Sequence, residues 1–136
     1  MNTKYIIFLC FLTSYLVIQS VAKQTSEEKK KRTELEEELI QSVFDELLHL
    51  LEESSDTKLF VNQVNVLWHD NGNTMRASFT GQEIAQMNKD RIDKKKFEEI
   101  TRKISKKQES DYVVFMNERL LFLRAQNKPY SRAAKL

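Results

Sequence analysis

Two histidines are the residues of this chain best suited to acid–base chemistry, and one of them has a carboxylate next to it. His69 precedes Asp70, and a His–Asp pair supports general-base catalysis when the carboxylate orients the ring. Adjacent residues on a strand point to opposite faces, however, and a hairpin through this segment sets Thr74 opposite His69 rather than a nucleophile. His49 lies within a leucine-rich run and reads as the flank of a helix. Neither histidine has another His or a Cys at a metal-ligand offset. Asp70, Asn71 and Asn73 form a short oxygen-rich stretch, but it does not continue into a calcium loop closed by a bidentate Glu. The two glycines, Gly72 and Gly81, are explained by a turn and a helix entry, which leaves none for a phosphate-cradling loop. Asp70 with Glu83 is the remaining carboxylate pair for a small enzyme, and its spacing matches no catalytic motif. The reading is therefore a non-enzymatic chain with no metal and no cofactor.

The cations carry more information. Lys94, Lys95, Lys96, Arg102, Lys103, Lys106 and Lys107 cluster in one segment. Residues 34–56 hold nine acidic residues and no Lys or Arg, whereas residues 89–136 hold 14 Lys or Arg against seven Asp or Glu. A formal net charge of +2 conceals this segregation. It suits an unidentified protein partner or an anionic surface, either lipid or glycosaminoglycan. It suits equally an acidic helix lying beside the basic half of its own fold. Nucleic acid fits poorly, because Glu98 and Glu99 interrupt the basic run and few aromatics are interleaved with it. Trp68, Phe79, Phe97 and Phe115 are the candidate lining of a pocket for a small apolar ligand, and the same residue types build ordinary core.

Compartment is read from residues 1–22. One lysine precedes an apolar run at residues 5–18, and Ser20 and Ala22 supply small residues at the −3 and −1 positions of a cut after Ala22, the order of a cleaved secretory signal. An uncleaved signal anchor is the alternative, but a span takes about 20 apolar residues. The run from 5 to 21 is interrupted by Thr13, Ser14 and Gln19. The expected location is outside the cell or in the secretory lumen. Cleavage after Ala22 removes Cys10, the one cysteine, so the exported chain is disulfide-free. No Asn-x-Ser/Thr triplet is present. The ending Ala134-Lys135-Leu136 is close to a peroxisomal address, which a signal at the other end overrides.

Several elements must position these residues. Thr25 and Glu28 have the spacing of a capping box, opening a helix that becomes amphipathic at Leu35. Leu35, Leu39, Ile40, Val43, Phe44, Leu47, Leu48 and Leu51 form its apolar stripe. Residues 59–70 alternate apolar and polar, and Asn71-Gly72 comes next. Asn-Gly is the preferred turn of a two-residue hairpin, pairing Trp68 with Met75, Val66 with Ala77 and Val64 with Phe79. Thr80 and Glu83 form a second capping box, and Asp93 is placed to cap a further helix containing Phe97, Ile100 and Ile104. Residues 112–125 read as strand by their β-branched and aromatic content, with a helix as the alternative.

The expected fold is thus α+β: a small antiparallel sheet built on the Asn-Gly hairpin. An acidic N-terminal helix and a basic second helix cover one face of it. Residues 23–126 form one domain, and residues 127–136 form a basic flexible tail. A homodimer through open sheet edges or through the first helix is also compatible with this pattern. The expected function is a secreted or luminal non-enzymatic binding protein acting through a charge-segregated surface. A small apolar-ligand carrier is the alternative, and a small carboxylate enzyme the least favoured one.

Overall fold

The computed structural model describes the backbone of residues 3–135 and the side chains of residues 26–127. Its elements are α1 (Thr3–Leu50), α2 (Val61–Val64) with a 3₁₀ turn at Asn65–Leu67, α3 (Asn73–Ser78), α4 (Gly81–Asp90), α5 (Lys94–Lys107) and α6 (Tyr112–Lys135). The chain divides into two units, Met1–Leu35 and Glu36–Leu136. In the first unit the side chains of residues 26–35 are all exposed. The expected signal segment, cleaved or anchored, depends on side chains that lie outside the described residues. Among the described residues no helix is long and apolar enough to cross a membrane.

The second unit is helical and has no sheet among the described residues, which corrects the α+β expectation. Its core is the apolar stripe of α1 joined to buried residues of every later element. Ile40, Val43, Phe44, Leu47 and Leu48 are buried against Phe97, Ile100 and Ile104 of α5 and Phe115, Met116, Leu120 and Leu123 of α6. The Phe44 and Phe97 rings meet at 5.2 Å. The one extended pairing is a bridge between Leu59 and Ile92. Each N–H donates to the other residue's carbonyl at 2.8 Å. Both side chains are fully buried. This bridge ties the α1–α2 loop to the α4–α5 loop.

The hairpin fails for a specific reason. Asn71 and Gly72 do take positive φ, 56° and 84°, as a hairpin turn of this kind requires. The chain then enters α3 instead of returning as a strand. The Asp70 carboxylate accepts the Thr74 backbone N–H at 2.9 Å and the Thr74 hydroxyl as well, holding the first turn of α3 closed. Upstream, the buried residues are Val61, Val64, Leu67 and Trp68. That spacing has a helical period, and a short apolar run permits either period. The pairs expected around the turn therefore do not form, and there is no sheet for the two charged helices to cover.

The strand reading of 112–125 is corrected too. Met116, Leu120 and Leu123 are buried on one face of α6, and the Asp111 carboxylate accepts the Val114 N–H at 3.2 Å at its start. Thr25 opens no helix, because α1 already runs through it. The other two caps form as the sequence indicates. Thr80 and Glu83 hold each other reciprocally, with Glu83 N–H donating to the Thr80 hydroxyl at 3.1 Å and Thr80 N–H to the Glu83 carboxylate at 2.9 Å. Asp93 accepts the Lys96 N–H at 2.8 Å.

Few glycines mean that ordinary residues close the helices in the left-handed region. Glu52, at φ 56°, and Glu109, at φ 54°, stand just past the ends of α1 and α5. At both ends the two backbone hydrogen bonds of a Schellman closure are present: Glu53 to Leu48 and Glu52 to His49, then Ser110 to Ser105 and Glu109 to Lys106. A side chain there costs about 1–2 kcal/mol relative to glycine. Glu109→Gly should therefore stabilise the chain, by roughly 1 kcal/mol in urea unfolding. Gly72→Ala should do the reverse. Its φ is +84°, and a Cβ there would stand 3.0 Å from Arg76 Nη1 and 3.1 Å from Asn65 Nδ2.

Candidate functional site

Helix α5 carries the seven cations singled out from the sequence. Asp93 caps it, and Phe97, Ile100, Thr101, Ile104 and Ser105 form its buried face. That face settles which way the cations point, and most of them meet partners from the same chain. Lys94 donates to the Gln41 side chain of α1. Lys96 pairs with Glu99 at 3.3 Å. Arg102 reaches Glu36 of α1 at 3.1 Å and Glu98 at 3.4 Å. Its guanidinium also lies 4.4 Å from the Tyr112 ring centroid. Lys103 pairs with Glu83 at 3.6 Å and stands 4.5 Å above the Phe79 ring. Lys107 donates to the Ala77 carbonyl. Lys95 and Lys106 have no such partner among the described residues. Among the described residues Arg102 with Glu36 is the ion pair that joins α5 to the acidic face of α1; the other α5 cations meet partners on α4, on α5 itself, or neutral groups.

The geometry shifts three ionisable groups. Thr80 N–H donates to the Glu83 carboxylate and lowers its pKa, and the Thr80 hydroxyl and Lys103 add to this. Burial opposes the charge of Arg102, but the hydrogen bond and charge of Glu36 outweigh it and raise the pKa. Burial raises the Tyr112 pKa. A 2.6 Å hydrogen bond to Thr101 and the nearby Arg102 charge work against that rise. The native state therefore keeps the Tyr112 proton to higher pH than the unfolded chain does. Stability present at neutral pH is then lost as pH climbs through the tyrosine range. Tyr112→Phe should show a smaller alkaline loss than the native chain when urea midpoints at neutral and strongly alkaline pH are compared.

The four candidate pocket aromatics do not converge. Phe97 and Phe115 are buried, as is Trp68, which stacks on Phe115 at 5.8 Å. Phe79 is half-buried and opens onto a cleft of about 510 Å³ between α4 and α5. Phe79 and Met87 supply the apolar part of this cleft. Lys58, Arg91, Lys95 and Lys96 face Glu83, Asp90, Asp93 and Glu99 around it. Three of these residues are placed by the Leu59–Ile92 bridge: Lys58 precedes Leu59, and Arg91 and Asp93 flank Ile92. Leu59 and Ile92 are buried while Lys58, Arg91 and Asp93 beside them are exposed. Arg91 takes φ 69° and ψ 164°, and its guanidinium lies 3.3 Å from the Phe60 ring centroid. Sequence reasoning missed Lys58, Arg91 and Asp90 as site residues, because they lie outside the basic run and only the fold assembles them.

The residues considered for catalysis are committed elsewhere. The Asp70 carboxylate accepts the Thr74 N–H and hydroxyl in the first turn of α3, and the His69 ring, on a residue at φ 56°, packs at a tilt on Phe122 with centroids 5.4 Å apart. Glu83 serves its own helix cap and Lys103. His49 is exposed at the end of α1 and lines a shallow cleft with Glu52, Glu53, Gln126 and Asn127. Among the described residues no group of three or more His, Cys, Asp or Glu could hold a metal ion. Comparison of the chain with protein-family models, curated proteins and solved structures returns no match.

Proposed function

We propose that this chain is an exported, non-enzymatic binding module whose contact surface is the α4–α5 cleft and whose partner is a protein. One observation carries the reading: four cations and four carboxylates line the same cleft as the apolar Phe79 and Met87. A polyanion rewards an unbroken positive field. A protein segment rewards an apolar centre with a rim of both charge signs, which aligns it and rejects wrong partners. The internal pairing of Lys94, Lys96, Arg102, Lys103 and Lys107 further weakens any net field along α5. The apolar residues expected to line a ligand pocket are mostly spent on the core, which counts against the carrier reading.

Retention on heparin and on anionic vesicles separates the two kinds of partner. At about 0.15 M salt, where exposed charges are screened beyond about 8 Å, the native chain should flow through both. The double variant Glu83→Lys/Asp90→Lys turns the cleft basic and should be retained. Retention of the native chain would replace the protein-partner reading with an anionic-surface one. For the cleft itself, a photo-crosslinker at Gln86 should yield an adduct from source extract, and one at Asn117 on α6 should not. Equal labelling at the two positions would remove the cleft as the contact surface.

A further inference from the structure

Four runs of consecutive cations occur in this chain: Lys29 to Arg32, Lys94 to Lys96, Arg102-Lys103 and Lys106-Lys107. In sequence they are equivalent targets for an endoprotease that reads paired basic residues. The structure makes them unequal. The last three lie on α5, whose other face is wholly buried through Phe97, Ile100 and Ile104. Unwinding α5 into the extended form a protease needs would break the core. The run from Lys29 to Arg32 lies in the first unit, where every side chain from 26 to 35 is exposed. Unwinding there forfeits no buried apolar contact, and an unsupported helix is marginal in water.

We infer that the Arg32–Thr33 bond is a processing site for a protease that recognises paired basic residues. Arg32 is the residue before the cut, with Lys31, Lys30 and Lys29 extending the basic recognition stretch. Two local details agree. The Thr33 hydroxyl donates back to the Lys29 carbonyl at 2.9 Å, a contact that loosens helices. The residues after the cut suit a new helix start, because Thr33 and Glu36 have the spacing of a capping box. Glu34, Glu36 and Glu37 would then lie in the first turn, where negative charge is favoured. The step is hydrolysis: water adds across the amide, Arg32 keeps the carboxylate and Thr33 the amine. The product, residues 33–136, retains the whole of the Glu36–Leu136 unit. The inference depends neither on the cleft nor on the nature of its partner.

The test is limited digestion of the folded full chain with a subtilisin-type protease that requires a basic pair, followed by intact mass and far-ultraviolet circular dichroism. The first product should be residues 33–136, persistent on further digestion and still helical, with a cooperative unfolding transition. Arg32→Gln should lose that product. Replacing Lys94, Lys95 and Lys96 together by Gln should leave its rate of appearance unchanged. A first cut within α5 would overturn the inference. So would an intact folded chain under conditions that fully digest the urea-unfolded one, or a 33–136 product that has lost its transition.

Discussion

The pairing of Leu59 with Ile92 is the constraint on which the compact unit depends. Both residues sit in loops, yet both are fully buried, so their backbone N–H and C=O groups have no water to bond. Each solves the problem for the other through two 2.8 Å hydrogen bonds. That fixes where the α1–α2 loop stands relative to the α4–α5 loop, and with them the helices they join. Val61, two residues after Leu59, donates its N–H to the Asn88 side chain of α4 at 2.9 Å, which extends the tie. Lys58, Arg91 and Asp93, next to the buried pair, are exposed and line the cleft, so the bridge sets one end of it.

One of the strained residues stands beside this bridge. Arg91 occupies a combination of φ and ψ that glycine takes readily and other residues rarely do. Its side chain offsets part of that cost by stacking on Phe60, with an exposed contact of this kind contributing about 0.5–1 kcal/mol. Retaining a cation where glycine would fit best keeps the cleft rim balanced between the two charge signs.

Two ion pairs, Glu36 with Arg102 and Glu46 with Arg124, and a hydrogen bond from Lys94 to Gln41 link α1 to the basic half of the chain. Each such partly exposed contact contributes little by itself, about 0–1 kcal/mol. The mixed rim of the cleft is the surface proposed for a partner.

The apolar stripe of α1, the reciprocal cap at Thr80 and Glu83 and the cap at Asp93 were all legible in the sequence, because each is a local pattern with one physical solution. The positive φ values at Asn71 and Gly72 were legible for the same reason. The path of the chain beyond that turn was not. A hairpin and a helix entry share this local geometry, and the choice fell to the Asp70 carboxylate bonding Thr74 and to core space that accepts Val61, Val64, Leu67 and Trp68 at helical spacing. Residues 112–125 show the same limit: their β-branched start favours a strand in isolation, and burial of Met116, Leu120 and Leu123 against the core makes them a helix. For the site, the sequence determined which residues are charged and that a basic helix exists. Only the tertiary structure decided which cations find partners within the chain and which line the cleft, because that depends on contacts with residues distant in sequence, such as Glu36, Gln41, Ala77 and Glu83, and no local pattern encodes them.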